Sequence, residues 1–288
     1  MKQTNINLKS GFTLVELLIV IAIISVLVGL TTAVTGKVMT AAVGTREASS
    51  MRSVLQAYFL AATDRKSELI EGYSSNQEET FTGPNGETIS WPASGRYVWR
   101  LLPYLDNAMT SLYVNGQTEW LTQYSGTENY SYIASVFPSF GLNSEWMGGD
   151  ARTTALPALE SKRLYGKFLS DIPHPSKQLV FASAKAPLEA DNGSDGIALL
   201  SEGYFEIKSP YFPSNSETWR WNTVDGEPST MPTSNSADHG NLSARHNGNV
   251  LSGQLDGSTE FLSLKDLADM RRWAPQANTI DWTPSINP

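Results

Sequence analysis

Lys9-Ser10-Gly11-Phe12-Thr13-Leu14-Val15-Glu16-Leu17-Leu18-Ile19-Val20-Ile21-Ala22-Ile23-Ile24 decides how the rest of this chain is to be read. A short leader carrying Lys2 and Lys9, and no acidic residue, stops at Gly11. From Phe12 an apolar run reaches Leu30, and one carboxylate, Glu16, interrupts it. A membrane-spanning helix needs about 20 mostly apolar residues, and residues 12–32 meet that requirement. An ionised carboxylate inside such a span costs about 2.5–3.5 kcal/mol on insertion scales, so Glu16 needs a partner. A cut between Gly11 and Phe12 creates one. The new amine lies one helical turn before Glu16, at the positive end of the helix dipole. The carboxylate then pairs with the amine of its own chain or, in a stack of identical helices, with that of a neighbour. Because an unpartnered buried charge is costly, this pairing sets an axial register.

The stretch Gly11-Phe12-Thr13-Leu14-Val15-Glu16 resembles the cleavage and methylation motif of type IV prepilins and of the pseudopilins of type II secretion systems. The resemblance implies that a membrane-embedded prepilin peptidase cuts after Gly11 and methylates the amine of Phe12, and that Glu16 is the assembly glutamate. Basic leader, glycine, phenylalanine and glutamate stand in the expected order and spacing before a long apolar run, which makes the motif specific. Two other readings compete. A Sec signal peptide ending near Thr31-Thr32-Ala33 has a usual apolar core of about 7–15 residues, shorter than this run, and would hold Glu16 inside it. An uncleaved anchor explains the length but not the carboxylate.

The basic leader marks the cytoplasmic side by the positive-inside rule, which puts everything after the helix across the membrane. The chain has 288 residues and a net charge of −8, two units more negative once the leader's lysines are removed. An acidic exported part argues against nucleic acid as a partner, since phosphate binding needs clustered lysine and arginine. There is no cysteine, hence no disulfide and no Cys-ligated zinc.

The helix is expected to continue beyond the membrane. Met51, Leu55, Tyr58, Phe59 and Ala62 recur at helical spacing, with Arg46, Ser49, Ser53 and Gln56 between them. The spacing predicts one helix from Phe12 to about Leu69, roughly 85 Å long at 1.5 Å per residue, apolar all round at first and one-sided later. Gly29, Gly36 and Gly44 each weaken it by about 1 kcal/mol relative to alanine and mark where it could bend. Residues 71–95 read as a loop with at most a short hairpin, and Arg96–Asp106 as a helix ending near Pro103. Lys177–Ala184 and Ile197–Ile207 read as strands, Glu189–Gly196 as a turn, and residues 209–244 as a long loop held by Trp219 and Trp221. Val250–Leu255 and Ser258–Leu262 flank Asp256-Gly257, a dipeptide suited to a type I′ hairpin turn. A helix from Leu264 to Trp273, N-capped by Ser263 with Asp266 in its first turn, follows, and then a loose tail from Pro275.

A second resemblance covers the C-terminal part. His246, nine residues, then Asp256-Gly257 is similar to the His-x9-Asp-Gly ending of a large subgroup of prepilin-like proteins. Trp99-Arg100-Leu101-Leu102-Pro103-Tyr104-Leu105 and His174-Pro175-Ser176-Lys177-Gln178-Leu179-Val180-Phe181-Ala182 resemble segments of the same subgroup. Ser252, Gly253 and Gln254 depart from it in being less apolar, which suggests an edge strand. The pattern assigns His246 no biochemical role.

Candidate chemistry is sparse. Asp191-Asn192-Gly193-Ser194-Asp195-Gly196, with Glu202 eleven residues after Asp191, is spaced like a calcium loop, which takes oxygens at positions 1, 3 and 5, glycine at 6 and glutamate at 12. Position 3 is Gly193, which supplies no ligand, and a solvated turn explains the segment as well. The pilin-type resemblance adds that major pseudopilins bind calcium. Asp238, His239 and His246 are suitable transition-metal ligands, against structural histidines bonded to the hairpin. No nucleophile elbow, phosphate-cradling glycine loop or His-Glu-x-x-His helix is present; paired Asp and Glu residues are plentiful, so motifs leave a glycosidase open, but no enzyme and no other cofactor is expected. Trp219-Arg220-Trp221 either displays two indoles for stacking a sugar or protein, or buries them against the sheet.

The expected architecture is α+β and pilin-like, a long helix packed on an antiparallel sheet of four or more strands. It comprises a leader (1–11), a membrane or filament-core helix (12–35), its amphipathic continuation (36–70) and an exported head (71–288). The resemblance implies a pilin or pseudopilin subunit of a type IV pilus or type II secretion pseudopilus, anchored in a bacterial inner membrane with its head in the periplasm. Its partners would be prepilin peptidase, other such subunits, the inner-membrane assembly platform and the lipid bilayer. A minor, adhesin-like subunit recognising glycans or exported proteins is the alternative.

Overall fold

From Leu14 onward the apolar run and the amphipathic stripe fall within a single helical element, α1 (Leu14–Asp64), which passes through Gly29, Gly36 and Gly44 without interruption. The computed structural model describes residues 13–106, 108–114, 116–153, 155–187, 202–212, 220–225, 227–231 and 233–284, with the side chains of residues 30–40 and 227 outside that description. The chain divides into two compact units, Met1–Arg46 and Glu47–Pro288, to both of which α1 contributes.

In the first unit the apolar side chains between Leu14 and Val28 are all exposed. Among the described residues no helix is long and apolar enough to cross a membrane. Described side chains here run from residue 13 to 29, fewer than the about 20 a span requires.

The second unit follows in the order β1 (Phe81–Thr82), β2 (Thr88–Ile89), α2 (Tyr97–Leu101), α3 (Gln117–Thr122), α4 (Tyr130–Val136), β3 (Phe140–Leu142), α5 (Leu156–Ser161), β4 (Leu179–Ser183), β5 (Thr223–Val224), β6 (Glu227–Pro228), β7 (Asn249–Gln254), β8 (Thr259–Ser263) and α6 (Leu264–Leu267). Strands β3-β4-β7-β8 form the main antiparallel sheet. One face receives α1. Ala48, Met51, Val54, Leu55, Tyr58 and Ala62 are buried with Phe140, Phe181 and Leu251, and Tyr58 stands edge-on to Phe181 at 5.5 Å. Phe59 is half exposed and does not join the stripe: at one residue from Tyr58 it turns about 100° round the helix, off the buried side.

The stripe ends earlier than expected. Ser67 N–H donates to the carbonyl of Ala62 at 2.8 Å and Lys66 N–H to that of Thr63 at 3.2 Å, with Lys66 at φ 57°. This Schellman pair stops α1 at Asp64 without the usual glycine, five residues short of Leu69.

Strand β7 is an inner strand, contrary to its polar composition, because the expected edge is taken by β8. Gly253 explains the composition. A Cβ there would stand 2.9 Å from Leu55 Cδ1 and 3.0 Å from Met51 Cγ and Sδ, so the missing side chain lets α1 lie on the sheet. Gly253→Val is therefore expected to cost about 1–3 kcal/mol through overpacking, read as a lower urea midpoint with an unchanged slope.

The other sheet face is also covered. Leu179, Ala182, Val250 and Leu262 pack there with Trp146, Trp221, Leu267, Met270 and Trp273. Segments expected to be loose supply this layer. The tail beyond Pro275 returns to the core, with Met270 N–H donating to the Ile280 carbonyl at 2.9 Å and Trp282 lying 5.7 Å from Trp146. The predicted Leu264–Trp273 helix is broken. Ser263 and Asp266 do form a capping box, but α6 ends at Leu267, and Asp269 caps a separate 3₁₀ turn at Met270–Arg272.

Within the predicted loop 209–244, β5 and β6 form a two-residue ladder and Ser236–His239 a 3₁₀ turn. Residues 202–207 form no strand, Glu206 making only an isolated bridge to Leu142; 197–201 lie outside the described residues. Loop 71–95 holds the short β1-β2 hairpin as expected. Helix α2 is extended by a 3₁₀ turn through Pro103, which occupies its first turn and needs no donor there.

Candidate functional site

Gly11 and Phe12 lie outside the described residues. Glu16 does not, and it already has a partner. Thr13 N–H and Thr13 Oγ1 both donate to Glu16 Oε2, at 2.9 and 2.7 Å, and Glu16 N–H donates to Thr13 Oγ1 at 3.3 Å. This is a capping box, one residue after Phe12.

The two ends of the His-x9-Asp-Gly pattern are both turns, and the first meets α1 through His246. His246 leads into β7 through a turn in which Asn247 and Gly248 have φ of 53° and 84°, and His246 and Asn249 exchange backbone hydrogen bonds at 3.1 and 3.0 Å. Two successive positive φ values make this the type I′ turn. The turn at Asp256-Gly257 is a different kind. Only Gly257 has positive φ, 86°, Gly257 N–H bonds the Gln254 carbonyl at 3.0 Å and Gln254 N–H that of Ser258 at 2.9 Å. This is a three-residue loop, a type I turn followed by a left-handed glycine.

The His246 side chain points at a carboxylate. Its Nε2 lies 3.0 Å from Glu47 Oε2, and its ring stands edge-on to Phe261 at 4.9 Å. Glu47 is fully buried on α1. Arg245 completes the cluster. Its Nε donates to both Glu47 oxygens at 3.1 and 3.3 Å, and its Nη2 donates to Glu47 Oε1. Nη1 donates to the carbonyls of Ala184 and Glu202, and Nη2 to that of Ser139, each at 3.1 Å. Every nitrogen of the guanidinium fork is thereby engaged. Burial pushes the Glu47 carboxyl up, but the His246 contact and the Arg245 charge outweigh it and hold it at about 2.

Arg245 and Glu47 were missed in the sequence, yet a signal exists. Residues 47, 51, 55, 58 and 62 share one helical stripe, so Glu47 is a carboxylate on the buried side. Such a group demands a cation, and an arginine adjoins the motif histidine.

Other candidates separate. Asp191 and Asp195 lie outside the described residues. The Glu202 carboxylate faces Lys185 Nζ at 3.4 Å and Ser243 Oγ at 3.2 Å. Among the described residues no group of three His, Asp or Glu side chains is placed to hold a metal ion, so Asp238, His239 and His246 do not converge. His239 is buried, edge-on to Trp221 at 5.8 Å, and that burial pushes its pKa down. Trp219 lies outside the described residues; Trp221 is buried and donates Nε1–H to the Lys208 carbonyl at 3.0 Å, so it is a core residue rather than a stacking platform.

Residues 6–32 match the family described as Prokaryotic N-terminal methylation motif. The chain thus carries a prepilin-type N-terminus, the substrate motif of prepilin peptidase, and is pilin- or pseudopilin-like in that segment. The α+β architecture with an N-terminal helix and antiparallel sheets is compatible with that class. No curated protein and no solved structure matches the chain.

Proposed function

We propose that this protein is a structural subunit of a type IV pilus or type II secretion pseudopilus, cut after Gly11, N-methylated at Phe12 and assembled through its apolar helix. The methylation motif over residues 6–32, which contains Gly11, Phe12 and Glu16, carries this reading. The exposed apolar side chains of the first unit support it, since such a surface needs lipid or neighbouring helices around it. The head contributes a folded body fixed to α1 by Glu47, Arg245 and His246, and no catalytic role is assigned to it. On this reading the helix is anchored in the inner membrane and the head lies in the periplasm before assembly.

Mass spectrometry of the natural N-terminus tests the proposal. The expected mature chain begins at N-methylated Phe12, and a bulky residue at Gly11 leaves the full-length precursor. A chain that begins elsewhere, or keeps residues 1–11, removes the filament-subunit reading.

A further inference from the structure

Beside the start of β4 the C-terminal segment borders a half-open cavity of about 420 Å³, within the range of small-molecule sites. Lys177, Arg271 and Arg272 line it together with His174, and Asp269 is the one acidic lining residue. This concentration of positive charge stands out in a chain of net charge −8. Asp269 is already engaged. It accepts from Arg271 Nε at 2.9 and 3.1 Å and from Arg271 Nη2 at 2.6 Å. That clamp fixes the guanidinium plane while Nη1 has no hydrogen bond among the described residues. Arg272 Nη1 donates to Glu260 at 2.9 Å. The Lys177 ammonium makes no ion pair among the described residues.

The wall of the cavity is rigid. Gln178 Nε2 donates to the carbonyls of Arg272 and Trp273 at 3.1 and 2.6 Å, and Asn143 Nδ2 reaches the Trp273 carbonyl at 3.0 Å. Two buried amides thus hold the backbone of the arginine-bearing segment against β4, so that backbone needs no further ordering for a ligand. Beyond the cations, Ala277 offers an apolar contact and Asn278 an amide, with buried Pro275 beneath them. A bare oxyanion would use only the cationic end of this space.

The geometry points to a binding site for a small anionic saccharide, with Lys177 and Arg271 on its phosphate or carboxylate group and Ala277 and Asn278 against the ring. The site stands on the head alone and does not depend on filament assembly. Isothermal titration calorimetry of the full chain in detergent, at matched ionic strength, tests it with glucose 6-phosphate, glucuronate and inorganic phosphate. At least one sugar anion should saturate and bind more tightly than phosphate. Lys177→Glu should weaken it by about tenfold or more, the effect of losing a charge-assisted hydrogen bond. Lys162→Glu, the same charge change outside the cavity, should leave it within about twofold, and thermal unfolding checks that both variants are folded. Absence of saturation by either sugar anion, or equal losses in the two variants, overturns the site. Phosphate binding as tight as the sugars overturns the saccharide assignment.

Discussion

Arg245→Ala is expected to destabilise the head by about 3–5 kcal/mol, the range for removing one partner of a buried ion pair. The loss is large because the Glu47 carboxylate, fully buried on α1, would lose its guanidinium and keep the weaker, titratable His246 beside it. The carbonyls of Ser139, Ala184 and Glu202 would lose their donor as well. Arg245→Lys keeps the charge but not the planar fork, so most of the penalty should remain.

Acid titration gives an independent readout of the same cluster. The Glu47 carboxyl is held at about 2, below its ordinary 4.5, so the folded protein binds that proton more weakly than the unfolded chain. Its contribution is complete above about pH 4.5 and disappears as pH falls through 2. At about 1.4 kcal/mol per unit this amounts to roughly 3 kcal/mol. Urea unfolding of the full chain in detergent between pH 7 and pH 2 should show it. The stability difference between the native chain and Glu47→Gln should shrink across that window. A penalty under about 1 kcal/mol for Arg245→Ala, or a difference independent of pH, would mean that the cluster does not hold α1 to the sheet.

The cluster also shows where sequence pattern stops carrying information. The stripe on α1, the β7-β8 hairpin, the Ser263 cap and the short β1-β2 hairpin follow from spacing and turn chemistry, which are local. The inner position of β7 does not. Its polar Ser252-Gly253-Gln254 reads as an edge until Met51 and Leu55 are known to lie against Gly253. Similarly, the tail after Pro275 has no periodicity of its own and is ordered by Trp146 and the Ile280 carbonyl, contacts more than a hundred residues away or dependent on the fold. Turn type failed for a smaller reason: Asn247-Gly248 and Asp256-Gly257 are both suited to type I′, and the φ of Asp256 together with the bonding of Gln254 with Ser258 separates them.

For Glu16, two variants distinguish its local role from its proposed role in assembly. Glu16→Val removes both the capping hydrogen bonds to Thr13 and the charge. Glu16→Gln keeps a side chain able to complete a capping box with Thr13 and removes only the charge. An N-terminal cap is worth about 0.5–2 kcal/mol, whereas an ammonium buried among apolar helices without its counter-ion costs about 3–5 kcal/mol. If the carboxylate neutralises the Phe12 amine in a filament, the cost of the unpaired ammonium governs and the two variants should behave alike. Both should be cleaved after Gly11, because the cut precedes assembly, and both should be absent from the filament fraction. Mass spectrometry of the N-terminus together with the amount of subunit recovered in filaments measures each step separately. Cleaved monomer remaining in the membrane for both variants is the expected result, while filaments built from Glu16→Gln would reassign the carboxylate to the helix cap alone.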